Sequence, residues 1–121
     1  MSDVQDFQKS KRLLNAKAYQ AVFDHVDYKA SSRVILCLAH KNGLAHPRLG
    51  LVIAKKNIKH AVQRNRIKRI IRESFRLHQQ QLPNTDMVFL ARRGLDALEN
   101  QQLHQEMTKI WQRLAKKASS Q

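Results

Sequence analysis

Between Ala61 and His78 the apolar residues return every third or fourth position, and most of what lies between them is cationic. On a helical wheel at about 100° per residue, Ile67, Ile70, Ile71, Phe75 and Leu77 share one arc with the small Ser74. Asn65, Lys68, Arg69, Arg72 and Arg76 occupy the opposite arc, with Arg64 and Arg66 nearer its boundaries. The spacing predicts a long amphipathic helix with an apolar stripe that must find a core. The wider stretch Lys55–Arg76 holds nine of the chain's 23 Lys+Arg residues and a single acid, Glu73. A merely solubilising face would interleave Glu with Lys at i,i+4 spacing. Stacking like charges instead costs a few tenths of a kcal/mol per pair. That cost makes sense where phosphates neutralise the face in the working state.

The rest of the chain agrees with that reading. Nine Asp+Glu leave a formal charge of +14 on 121 residues, and a compact domain this basic calls for a polyanionic partner. Charge alone leaves nucleic acid, an anionic membrane face and acidic proteins open. The longest apolar run, Val34–Ala39, is far short of the roughly 20 residues that span a bilayer. Met1–Asp6 has no basic start leading into an apolar stretch, so no secretory signal is expected. The lone Cys37 sits inside an apolar run and reads as a small buried hydrophobe in a reduced, cytoplasmic protein.

The remaining segments predict one α+β domain. Residues 1–11 read as a loosely ordered arm, 12–117 as the domain and 118–121 as a frayed tail. Asn15 is a suitable N-cap for a short helix through Phe23, with Ala18, Tyr19, Val22 and Phe23 at helical spacing. Arg33–Ala39 and Arg48–Ala54 read as strands joined by Lys41–Pro47, most simply as a hairpin, and a further edge strand is suggested near Val26–Ala30. Asp86–Ala91 is a third short apolar strand, and Glu99–Lys117 carries Leu103, Met107, Ile110, Trp111 and Leu114 at helical spacing. This order predicts a two-layer sandwich, a small mixed sheet with helices on one side.

Three blocks make the reading specific. Arg64-Asn-Arg-Ile-Lys-Arg-Ile-Ile-Arg-Glu-Ser-Phe-Arg76, preceded by Ala54–Ile58 and Arg48–Leu51, resembles the arginine–asparagine–arginine signature of the bacterial ribonuclease P protein family. Arg12-Leu-Leu14 with Tyr19–Phe23 is similar to that family's N-terminal pattern, and Asp86–Arg92 to its later strand. The resemblance runs from about Arg12 to Trp111 in order and spacing.

That resemblance implies a left-handed β-α-β crossover, which periodicity did not show. It implies a partner RNA that carries out the Mg2+-dependent cleavage of precursor tRNA, the Mg2+ being bound mainly by that RNA. It also implies a cleft beside the N-terminal helix for the single-stranded 5′ leader. Carried over by position, Lys55, Lys56, Arg64, Asn65, Arg66, Lys68, Arg69 and Arg72 fall in the RNA-contacting signature, and Lys59 and Arg76 extend the same basic set. Tyr19 and Phe23 fall at cleft aromatics, with Arg12, Val52 and Ala54 completing the candidate cleft. Cys37 stands where some members carry an aromatic, which implies less extensive stacking there. A 1:1 complex of monomeric protein with RNA is expected.

No catalytic residue and no protein metal ligand is assigned. The nine acids show no metal-ligand spacing, the six histidines are scattered, and no phosphate-binding loop or zinc pattern occurs. Asn65 is a candidate for an outer-sphere contact to a hydrated metal ion. Two other classes stand beside this reading. One is a structural, ribosomal-type RNA-binding protein; the other is a DNA-binding module, against which the missing tandem helix before Ala61 counts.

Overall fold

The chain is described by a computed structural model that covers residues 11–13 and 15–120. The N-terminal arm through residue 10, Leu14 of the N-terminal pattern and Gln121 of the tail lie outside the described residues. The elements run α1 (Ala16–Asp24), β1 (Tyr28–Ser31), β2 (Ile35–Lys41), β3 (Arg48–Val52), α2 (Ala61–His78), β4 (Thr85–Ala91) and α3 (Asn100–Ser119). Single 3-10 turns follow α2 at Gln79–Gln81 and precede α3 at Leu95–Ala97. The Asn15 side chain accepts the Ala18 N–H at 2.9 Å, as a cap should.

The sheet order is β1-β2-β4-β3. β4 is the organising strand. Its run Met87-Val88-Phe89-Leu90 is apolar at consecutive positions, the mark of a strand covered on both faces. It pairs antiparallel with β2 over seven residues and parallel with β3, so β3, α2 and β4 make a β-α-β unit of parallel neighbours. The expected hairpin between β2 and β3 is therefore corrected: β4 sits between them and takes the central place. The suggested edge strand near Val26–Ala30 exists as β1, paired with β2.

Strand alternation sorts the side chains. Ile35, Cys37, Ala39, Met87 and Phe89 join Tyr28 and Ala30 on one face, under the stripes of α2 and α3. Trp111 lies at the centre, edge to face with Phe75 at 5.8 Å and tilted against Phe89 at 4.9 Å. Its indole N–H donates to the buried Ser74 hydroxyl at 2.8 Å, which accounts for a serine within an apolar stripe. Leu77, placed on that stripe by the wheel, is instead 60 % exposed. It lies about 80° from the Ile67 direction, at the stripe's edge, where the next turn no longer meets a partner.

The other face carries Val88 and Leu90 with Leu38 and Val52, and α1 lies across it through Ala18, Tyr19 and the buried Val22. Helices on one side therefore describes α2 and α3 only; α1 packs on the opposite face and adds a third layer. A central strand apolar on both faces demands cover on both.

Candidate nucleic-acid interface

The cationic arc of α2 divides into three groups. Asn65, Arg69 and Arg76 are exposed along the ridge, and Lys55, Lys56 and Lys59 are exposed in the segment leading to it. Arg76 is ion-paired with Glu73, the only acid of the stretch. Arg64 and Arg66 behave differently. Arg64 donates to the carbonyls of Ile58 and Lys59, both at 2.9 Å. Arg66 donates to the Asn100 side chain at 2.7 Å and to the carbonyls of Asp96 and Leu98. The first staples the basic loop to α2; the second fixes the turn before α3. Each guanidinium has further N–H groups, so a backbone contact and an RNA contact are compatible.

Lys68 and Arg72 form the flank of the arc, half-buried, and Arg72 feels Arg12 and Tyr19 beside β3. There the chain before α1 covers the free edge of the sheet: Arg12 pairs in parallel with Leu49, and the Leu13 N–H donates to the Leu49 carbonyl at 3.1 Å. Arg72 is held below the ordinary arginine value first by partial burial and then by the neighbouring Arg12 guanidinium, against an opposing effect of Tyr19. The Arg12 and Arg72 charges act on each other, which concentrates positive charge where the α2 ridge meets the α1 face. Sequence distance, 60 residues, hid this pairing.

Tyr19 and Val52 of the candidate cleft meet in the second apolar cluster. The Tyr19 ring lies on Gly50, where a Cβ would come within 2.7 Å of it, and its hydroxyl accepts the Leu51 N–H at 3.1 Å. Glycine at 50 is what lets the ring lie against the strand. Phe23 projects from the next turn of α1 and is 41 % exposed. Ala54 is half-buried, and its carbonyl receives the N–H groups of Asn57 and Ile58. Cys37 does not belong here. It is fully buried beneath α2 and α3, where burial pushes its thiol well above the ordinary range. Of β2 it is Leu38 that packs in the cluster under α1, so residue 37 does not line the candidate cleft.

Arg48 and Asp86 were conspicuous only as parts of separate motifs. They stand opposite each other on β3 and β4 and form a two-pronged ion pair at 2.7 and 2.6 Å. Asn42 adds a third hydrogen bond to the same buried carboxylate, and the Asp86 contact raises the Arg48 pKa. Opposite charges in two otherwise apolar strands were the available signal. This pair fixes the β3–β4 register.

The Ribonuclease P family model matches residues 7–115. The ribonuclease P protein component of Pseudomonas paraeruginosa is 57 % identical over 109 residues, covering 90 % of this chain and 81 % of that one. That of Pseudomonas putida is 54 % identical over 112 residues, covering 93 % and 84 %. Among solved structures, a Staphylococcus aureus RNase P protein superposes with a TM-score of 0.79 at 26 % identity, over 86 % of this chain and 94 % of that one. The Thermotoga maritima RNase P protein gives 0.74 at 25 % identity, over 84 % and 96 %.

Proposed function

The chain belongs to the ribonuclease P protein family, the protein component of the tRNA-processing ribonucleoprotein, and from that premise we propose how its two surfaces divide the work. The α2 ridge with Lys55, Lys56 and Lys59 docks the partner RNA. The α1 face, with Phe23 beside Tyr19 and Val52, receives the single-stranded 5′ leader of precursor tRNA. The Arg12–Arg72 junction lets one phosphate backbone pass from ridge to cleft. The observation that carries this division is the row of exposed and half-buried cations along one side of α2, which leads toward a half-covered apolar face. Aromatic platforms beside a basic groove hold single strands, because every base has a stackable face. The ribosomal-type alternative gains nothing from the family match.

The protein is a subunit of a tRNA-processing endoribonuclease, and we place the chemistry in its RNA. The ridge offers Asn65 as its neutral oxygen donor and Glu73 already paired with Arg76. Mg2+ takes carboxylate and phosphate oxygens in near-octahedral geometry. These residues do not fit a protein-held Mg2+ site, and the ion is assigned to the RNA. Among the described residues, no helix is long and apolar enough to cross a membrane.

Salt dependence tests the docking surface. Roughly 5–8 phosphate contacts give a log–log slope of about −4 to −7 for binding of the monomeric protein to the RNA subunit. Arg69→Ala should flatten it by about one unit without loss of structure. A slope near −1 would remove α2 as the docking surface.

A further inference from the structure

The end of α1 carries a cluster that neither surface uses. His25, the residue that closes α1, brings its Nε2 to 3.3 Å from Asp27 Oδ1. His40 of β2 sets its Nδ1 3.0 Å from the other carboxylate oxygen, Oδ2. The two imidazoles meet edge to face with centroids 5.0 Å apart, and one donor atom from each of the three residues lies within 4.8 Å of the others. A helix end, a loop and a strand therefore converge on one point.

Asp27 is anchored before any ligand arrives. Its N–H donates to the Ala39 carbonyl at 2.8 Å, and its Oδ2 accepts the Lys41 N–H at 2.8 Å. The Lys41 N–H holds the carboxyl below its ordinary value against the opposing effect of partial burial, assisted by His40 and His25. The group is thus ionised throughout the neutral range. A purely structural carboxylate in this place needs one imidazole. Here two share it, and His25 gives little to packing because its side chain is 69 % exposed.

We propose that His25, Asp27 and His40 form a binding site for a divalent transition-metal cation of the zinc class. Metal–ligand bonds of about 2.0–2.1 Å in a tetrahedron put neighbouring donor atoms about 3.3 Å apart. His25 Nε2 stands 3.3 Å from Oδ1 and His40 Nδ1 3.0 Å from Oδ2, and one atom from each residue already falls within 4.8 Å of the others, so a small rotation that brings both imidazoles to one carboxylate oxygen completes the donor set. Two imidazoles and one carboxylate select zinc, cobalt, nickel or copper over Mg2+ and Ca2+, which prefer oxygen. The exposure of His25 leaves the remaining coordination to water. The hydrogen bond from Lys41 N–H orients the carboxylate as an outer-shell partner does. Because the donors join the end of α1 to β2, bound metal clips the helix to the sheet two residues after Phe23.

The test is a titration of full-length, tag-free protein with Zn2+ by calorimetry and with Co2+ by its visible absorption. One site per chain is expected, not displaced by millimolar Mg2+, and Zn2+ should raise the thermal midpoint by mass action. His25→Asn and His40→Asn should each weaken binding by roughly tenfold or more, since even the loss of an outer-shell partner costs that much. His60→Gln, at an exposed position before α2, should bind as the unmodified chain does. His25 is exposed, so His25→Asn keeps the apo fold and decides the matter even if His40→Asn unfolds. Equal Zn2+ affinity in His25→Asn, absence of binding, or displacement by Mg2+ each overturns the proposal.

Discussion

The two faces of the sheet are filled by different means. Beneath α2 and α3, Trp111, Phe75, Phe89 and their neighbours close a dense core in which the indole N–H and the Ser74 hydroxyl satisfy each other. Under α1, a helix of nine residues, Leu13, Val22 and Val88 are the hydrophobic side chains buried outright among the described residues, while Leu38, Val52, Leu90 and Tyr19 remain partly open beside an exposed Phe23. The first face spends its apolar residues on stability. On the proposed division of labour, the second keeps some of them for a ligand that has apolar rings of its own. A sheet covered fully on both sides would leave the leader only the cationic ridge, which grips phosphates but has no surface on which bases stack.

The largest effect should therefore come from the closed face. Trp111→Ala removes the largest buried side chain and strands the Ser74 hydroxyl; about 3–5 kcal/mol of stability should be lost. Equilibrium denaturation measures it. A loss below about 1 kcal/mol would mean that the two faces do not differ as described.

The open face should respond in the other currency. Phe23→Ala should leave the unfolding midpoint nearly unchanged, because the ring is substantially exposed. Base–aromatic stacking is worth roughly 1–3 kcal/mol, so precursor tRNA should bind the holoenzyme roughly five- to a hundredfold more weakly. Mature tRNA, which has no leader, should be unaffected. Equal losses for both substrates would take Phe23 out of the leader site and erase the contrast between the faces.

How much of this was legible in the sequence follows from what periodicity can see. The stripes of α2 and α3 and the cap at Asn15 were legible because each is set by residues within a few positions of one another. The place of α1 was not. Residues 18–23 show which side of the helix is apolar but not which face of the sheet receives it; the continuous run Met87–Leu90, read as a strand covered on both faces, held that information. The β2–β3 hairpin failed for a related reason, since proximity along the chain lost to the better pairing offered by β4. At the interface, composition located the cations but not their obligations. Arg64 and Arg66 look alike on the wheel, yet one reaches carbonyls of the loop before α2 and the other carbonyls of the turn before α3, and only tertiary structure lets the Arg12 charge act on Arg72.

Tyr19 stands on the boundary between the two roles, and Tyr19→Phe gives the smallest and sharpest test. The hydroxyl accepts the N–H of Leu51 at the free edge of β3, while the ring lies on Gly50 and faces the cleft. Removing the oxygen alone should cost about 0.5–1.5 kcal/mol, the usual net worth of one hydrogen bond, and less where water can reach the freed N–H. The ring would remain, pressed on Gly50 by the same packing. If Tyr19 serves the leader through its π-face, precursor affinity should stay within about twofold while the unfolding midpoint falls by a few degrees. If affinity drops with the oxygen, the hydroxyl itself reads the leader and the stacking account of this residue is wrong. If neither quantity moves, water replaces the hydroxyl at Leu51, and the edge of β3 is held by the Leu13 N–H and the Arg12–Leu49 pairing alone. Tyr19 would then belong with Phe23, on the side of the molecule whose apolar surface is kept for RNA.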